Sequence, residues 1–204
     1  MFPGGGKKNS PPKSKTINKM IQFSPLVVYP IAGHHNSDPG AVYNNQKEAD
    51  KTKELRNLTS KYLSLKGHKH IMDNDVENNR QLQNRIKPGT GSVLVDHHFN
   101  ASTNLNASGT EVIVANNANA NSKAIAKELA DGTALILGIP NRGVKTEAQT
   151  ARGKIGILNL GAGIACLVEV CFSSNPNDMA KYELKKDELA KFYAETYIKY
   201  DNLI

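Results

Sequence analysis

Residues 164–172, "IACLVEVCF", are apolar at every position but one. A run of this kind, with glycines before it and "SSNPND" after it, suits a strand buried on both faces. Burial on both faces demands a covering layer on each side of the sheet. The rest of the chain offers the parts. "SPLVVYPIAG" reads as a second buried strand that ends or bulges at Pro30. "HKHIMD" reads as a short strand, "GSVLVDHHFN" begins with one, and "GTEVIVAN" is another. Residues 46–65 carry Leu55, Leu58, Tyr62 and Leu65 at helical spacing. Residues 121–137 do the same with Ile125, Leu129 and Ile136, and Gly138 with Pro140 closes that helix. "SNPND" opens the last helix: Asn175 caps it, Pro176 takes the first helical position, and Asp178 faces the positive end of the dipole. The alternation predicts a single α/β domain, with a mostly parallel twisted sheet covered by helices on both faces.

At 204 residues and 39% hydrophobic content, the chain fits one domain with a tail. Residues 1–22 are rich in Gly, Pro, Ser and Lys and are expected to form a disordered basic tail, leaving 23–204 as the folded domain. No internal repeat is visible, and no apolar run is long enough to span a bilayer. The first lysines have no apolar block behind them, so no secretory signal peptide is expected and synthesis in the cytoplasm follows. The net charge is +7, and Lys7, Lys8, Lys13, Lys15 and Lys19 stand in a stretch without an acid, so the body is close to balanced. With seven tyrosines, five phenylalanines, no tryptophan and no RNA or DNA motif, a nucleic-acid partner is not expected. Nothing in the sequence indicates an oligomeric state. Cys166 and Cys171 are expected on opposite faces of one strand, as reduced core thiols.

Ionisable residues interrupt this pattern where buried strands end. His34 and His35 follow "VVYPIAG", Glu48 opens a helix, His97 and His98 end "SVLVD", and Glu169 lies inside the most apolar strand. Taken singly each has an ordinary reading: a solvated histidine, a helix-dipole charge, a paired glutamate. In parallel α/β sheets, however, strand ends form the ligand crevice. Two imidazoles and a carboxylate meeting there suit zinc with an open position for water. Glu169 then suits the group that takes the water's proton, because burial readily raises a glutamate's pKa.

The motifs resemble those of the zinc-dependent N-acetylmuramoyl-L-alanine amidases of the Amidase_3 type, over about residues 26–200. "GHHNSDPGA" has the length of that family's Gly-His-Gly-Gly-x-Asp-Pro-Gly-Ala, and Glu48 opens the following helix. "VDHHFNAS" aligns with Ser-x-His-x-Asn-Ala, Gly109 and Glu111 match a Gly-x-Glu, and "LVEVCFSSNP" matches Leu-x-Glu-x-Gly-Phe-x-Ser-Asn-Pro. The resemblance implies Zn2+ held by His34, Glu48 and His98, with Glu169 catalytic and Asn100 and Glu111 as substrate or supporting contacts. Spacing to the Asp38-Pro39-Gly40 turn favours His34 over His35, and His-x-Asn spacing favours His98 over His97. It further implies hydrolysis of the amide between N-acetylmuramic acid and L-alanine in bacterial peptidoglycan. A single catalytic domain without signal peptide or wall-binding repeat resembles a phage endolysin, made in the host cytoplasm and acting on the wall. An inactive peptidoglycan-binding relative and a bacterial wall-remodelling amidase are the alternatives. The departures are His35 and Asn36 for two glycines, Asp96 and His97 for a small and an apolar residue, and Cys171 for glycine.

Overall fold

The structure, a computed structural model, describes Met1 and residues 27–204. Apart from Met1, the expected basic tail, 1–22, lies outside the described residues. Seven strands and four α-helices follow in order: β1 Val27–Ala32, β2 Val42–Tyr43, β3 Gln46–Lys47, α1 Glu48–Leu65, α2 Asn79–Arg85, β4 Ser92–Asn100, β5 Thr110–Val114, α3 Ala120–Leu137, β6 Asn141–Thr146, β7 Ile164–Phe172 and α4 Pro176–Asp201. Five strands form the main sheet in the order β1-β4-β7-β5-β6. β1, β4 and β7 run parallel, β5 is antiparallel to β7, and β6 is parallel to β5. The apolar strand β7 therefore occupies the centre, as its composition requires.

Alternation along the strands sorts two cores. Val93, Val95, Val112, Val168 and Val170 face α1, α3 and α4, meeting Leu55, Leu129, Leu189 and Tyr193. Tyr29, Ile31, Leu94, Ile113 and Leu167 face the other way, onto Leu82 and Ile86 at α2 and Ile157 and Leu158 in a 3-10 turn. Three long helices thus cover one face, while the other has one short helix and irregular chain. Among the described residues no helix is long and apolar enough to cross a membrane.

The local signals mostly hold. Asn175 accepts from the N–H groups of Asn177 and Asp178, with Pro176 opening α4. Gly138 ends α3 at φ 62° in the left-handed region. Asp178 does more than face a dipole: it accepts from the N–H groups of Gly109 and Phe172 and from the Ser108 hydroxyl, joining β5, β7 and α4.

Four expectations need correction. "HKHIMD" is not a strand, only an isolated bridge from His70 to Val28. Val28 exchanges bonds with Lys69 and Ile71, and the next outward-facing position on β1 is Pro30, which has no N–H to extend the ladder. Pro30 neither ends nor bulges β1, because its missing donor points away from β4 and the register with β4 is regular. Leu65 is exposed; the buried stripe of α1 runs through Thr52, Leu55, Arg56, Thr59 and Leu63. Cys166 and Cys171 join the same core, because a register shift between His98 and Asn100, opposite Glu169 and Phe172, breaks the alternation. Both remain free thiols.

His97 belongs to this framework. Its side chain enters the helix-covered core, where Nδ1–H donates to the Ile31 carbonyl at 2.8 Å and Nε2 accepts from the Tyr197 hydroxyl at 2.7 Å. The ring packs against both Tyr193 and Tyr197, at centroid distances of 5.7 and 6.1 Å. Burial pushes its pKa down to about 4, against partial opposition from Asp96. The unfolded chain takes up a proton near the ordinary value of 6.5, while the folded one does so only near 4. His97 therefore costs stability as pH falls across that window. In melting experiments the advantage of the wild type over His97→Gln should shrink between pH 7 and pH 5. An advantage equal at both pH values would show that His97 protonates as readily inside as outside.

Candidate active site

The pairing register assembles the site. His98 on β4 stands opposite Glu169 on β7, and Glu169 stands opposite Glu111 on β5. One row across three strands thus carries His98, Glu169 and Glu111, all on the sparsely covered face. Glu111 reaches this end from the start of β5 because β5 runs opposite to its neighbour. On the β1 side the row continues with Gly33, whose N–H donates to the His97 carbonyl. A Cβ on Gly33 would lie 2.0 Å from His98 Nε2, so this glycine leaves the space that the imidazole fills.

His34 and Glu48 come from the segment after β1. Asp38 builds the turn, accepting from the Gly40 N–H at 3.2 Å, and Gly40 sits at φ 63° against Glu48 and His34. "VYNNQK" then makes a hairpin, β2–β3, whose Asn44 and Asn45 both take positive φ. This is the asparagine-rich two-residue turn that suits a hairpin, and the sequence reading missed it. It delivers Glu48 as the first residue of α1. The Glu48 carboxylate is held by the N–H of Ala41 at 2.9 Å and of Phe99 at 3.0 Å.

These three side chains converge. His34 Nε2 is 3.2 Å from Glu48 Oε2, and His98 Nδ1 is 3.1 Å from Glu48 Oε1. One donor atom from each of His34, Glu48 and His98 lies within 4.8 Å of the others, and all three residues are buried. His34 Nδ1 is 3.1 Å from Asp38, yet neither nitrogen of His34 is lined up for a hydrogen bond. A buried imidazole with unmatched nitrogens beside a carboxylate is a poor hydrogen-bond arrangement and a good metal-ligand one. The donor set, two nitrogens and a carboxylate oxygen, fits zinc. His35 and His97 are not in the cluster: His35 Nδ1 is 3.1 Å from the Ser37 hydroxyl, and His97 lies on the opposite face.

Electrostatics differ sharply among these groups. Burial works against charge on Glu48, but the imidazoles of His34 and His98 beside it hold its pKa far below the usual carboxylate range. Burial also opposes protonation of His34, and Glu48 overrides it, raising the pKa. For His98, Asp96 and Glu48 likewise outweigh burial and raise the pKa well above the ordinary value. Both shifts favour the protonated imidazoles around the Glu48 charge.

Glu169 and Glu111 are neighbours with opposite chemistry. Burial pushes Glu169 up to about 7 despite the attraction of His98, and its Oε2 is buried without a hydrogen-bond partner. Glu111 is held down by Lys145 at 2.7 Å and Arg142 at 2.8 Å, which overcome its burial, while Asn100 Nδ2 donates to its other oxygen at 3.2 Å. Two carboxylates with pKa values driven apart are suited to different tasks, one to move a proton and one to stay charged. Arg142 and Lys145 lie on β6, a polar edge strand that hydrophobic periodicity could not reveal. A cleft of about 670 Å³ runs over the whole group, lined among others by His34, Glu48, His98, Asn100, Glu111, Lys145, Arg152 and Glu169.

The family model described as Amidase_3, N-acetylmuramoyl-L-alanine amidase, matches residues 28–198. The N-acetylmuramoyl-L-alanine amidase LytC of Bacillus subtilis strain 168 is 23% identical over 201 residues, 94% of this chain. The chain spans 39% of that relative's length. An N-acetylmuramoyl-L-alanine amidase from Clostridium difficile 630 shares the fold at a TM-score of 0.73 and 22% identity, covering 86% of this chain and 96% of that one. The catalytic domain of the CD27L endolysin targeting Clostridia difficile does so at a TM-score of 0.65 and 23% identity, covering 85% and 97%. At these identities the structural likeness speaks for the fold. The match over residues 28–198 reaches from β1 into α4 and takes in every residue of the cluster; the chain belongs to the Amidase_3 family of N-acetylmuramoyl-L-alanine amidases.

Proposed function

We propose that this chain is a zinc-dependent hydrolase of bacterial peptidoglycan, cleaving the amide between the lactyl group of N-acetylmuramic acid and L-alanine. The observation that carries this reading is the meeting of His34, Glu48 and His98 beside an unpartnered Glu169 at the floor of an open cleft. His34, Glu48 and His98 would hold the metal. Zinc supplies a Lewis acid there, lowering the pKa of water and polarising the amide carbonyl. Glu169 takes the proton of the attacking water and returns it to the leaving amine nitrogen. Its pKa near 7 in the metal-free protein leaves room for both transfers, and a bound cation lowers that value. Glu111, already saturated by Arg142, Lys145 and Asn100, is a poor base; with Asn100 it forms the cleft wall against which the substrate rests. Peptidoglycan is the partner this chemistry requires, and a lytic, endolysin-like use of the activity on the wall is part of the same proposal.

The direct test is digestion of purified peptidoglycan with and without a chelator. New L-alanine amino termini that disappear with the chelator are expected. New reducing sugar ends, or intact wall, would overturn the reading, the latter in favour of an inactive wall-binding relative. Clearing of whole cells from outside in the same assay separates lytic use from wall remodelling.

Metal uptake should displace protons. Because the His34 and His98 pKa values are raised, zinc competes with protons there, so apparent affinity should rise with pH. Calorimetric titrations in buffers of different ionisation enthalpy count the protons released. His34→Ala and His98→Ala should lose tight binding while His35→Ala keeps it. Zinc lost with His35 and kept without His34 would shift the ligand assignment by one residue.

Glu169→Gln should keep zinc and fold, with turnover lowered by about 10²–10⁴-fold, the usual worth of a general acid–base group. Zinc content and turnover are measured on the same sample. Metal lost together with activity would make Glu169 a ligand, and both retained would remove it from the mechanism.

A further inference from the structure

Behind His98, on the side away from Glu48, stands a carboxylate that the family motif does not call for. Asp96 precedes His98 by two residues on β4, so both side chains leave the same face of the sheet. Asp96 is 5% exposed. Its Oδ2 lies 3.3 Å from His98 Nε2, while Nδ1 of the same ring lies 3.1 Å from Glu48 Oε1. The two ring nitrogens therefore have separate partners, one at the cluster and one behind it. Asp96 Oδ1 is buried without a hydrogen-bond partner, and His98 is the one ion-pair partner of Asp96 among the described residues. Among the described residues no arginine or lysine pairs with Asp96, although Arg152 and Lys154 line the same small cavity, and a carboxylate buried in this way is costly where an apolar side chain of similar size would not be. Packing does not account for an aspartate here. Its geometry toward one ring nitrogen does.

We propose that Asp96 is a positioning residue for the metal centre. Resting on the zinc reading of His34, Glu48 and His98, this assigns to Asp96 the Nε2–H of His98. The hydrogen bond fixes the tautomer that leaves the Nδ1 lone pair directed into the cluster. It also locks the ring, which lies over Gly33, against rotation about its bonds. A carboxylate behind a ligating histidine raises the basicity of the ring and sets its orientation, and loss of such a partner typically costs about 10–100-fold in metal affinity. Asp96 touches neither substrate nor reacting atoms. It acts through His98 alone.

The experiment measures the Zn2+ dissociation constant by competition with a chromogenic chelator, on the full chain, for wild type, Asp96→Leu and Asp96→Asn. The melting temperature of each metal-free protein is recorded alongside. Expected are an affinity weaker by about 10–100-fold in the leucine variant and a smaller loss in the asparagine variant, whose amide oxygen still accepts from Nε2–H. The metal-free melting temperature should fall most in the leucine variant, because the buried His98 ring loses the carboxylate paired with its Nε2, so the affinity is the readout that decides. A purely structural role would lower that temperature and leave the affinity alone, which overturns the proposal. Asparagine, matched in size, gives the answer if the leucine variant does not fold. Wild type binding zinc tightly with both variants equally tight refutes the role of Asp96 by itself. Wild type taking up no zinc refutes the metal reading and this proposal with it.

Discussion

Everything in the cleft depends on the strand register that lines up His98, Glu169 and Glu111. Side chains alternate with a period of two, so a slip of one residue would send each of these groups into the helix-covered core. That core is where the neighbouring His97 already points, and it accepts His97 only because the Ile31 carbonyl and the Tyr197 hydroxyl satisfy both ring nitrogens. The two adjacent histidines thus serve opposite faces. Hydrophobic burial fixes the register: Val93, Val95, Val168 and Val170 on one side and Leu94 and Leu167 on the other leave no room for an alternative pairing. The register shift after His98 comes just beyond the row, so it redirects Asn100 and Cys171 without disturbing the alignment of His98 with Glu169.

The unequal covering of the sheet explains where the cleft lies. Three long helices seal one face, with fully buried Tyr182, Tyr193 and Tyr197 among their contacts. The other face is closed near the strand starts by α2 and the turn at Ile157 and Leu158. Beyond that cover the strands carry polar side chains over open space. Glu147 shapes the rim: its carboxylate accepts from the N–H groups of Asn116 and Ile155 and from the Asn159 amide, holding the irregular segment that brings Arg152 to the cleft. A helix there would seal the cleft. A loop tied to one buried carboxylate keeps it open and still defined.

Sequence reading succeeded where a signal was local. The continuous apolar run of β7, the Asn175-Pro176 start of α4 and the Asp38-Pro39-Gly40 turn each follow from residues next to one another. The choice of His34, Glu48, His98 and Glu169 came from the resemblance and its motif spacing, and the structure brings the four to one cleft. It failed where the cause was tertiary. β6 is polar and exposed, and it is a strand because β5 offers an edge. Pro30 suggests an end or a bulge in β1, yet its missing donor lies on the outer edge where the ladder does not need it. The need for glycine at position 33 arises from a ring on another strand, 65 residues later in the chain. Asp96 looked like a departure from a motif, and only its distance to His98 gives it a meaning.

The site is also where the fold leaves polar groups unmatched. Among the described residues, six buried side-chain atoms lack a hydrogen-bond partner. Four of them are His34 Nδ1 and Nε2, Asp96 Oδ1 and Glu169 Oε2, all at the cluster. Of the other two, Asp75 Oδ1 lies 2.8 Å from the Arg56 guanidinium, and Asp201 bonds His68 through its second oxygen. Each unmatched buried group costs about 1–3 kcal/mol. Two of the four, the His34 nitrogens, lie 3.1 and 3.2 Å from the Asp38 and Glu48 carboxylates without hydrogen-bond alignment, so the unmatched polar atoms concentrate at this one cluster. A ligand that binds only the folded chain would stabilise it by mass action, so a site built on such atoms would link stability to occupancy. His97, one residue from His98 and fully satisfied, shows that this core completes polar groups where nothing external is required.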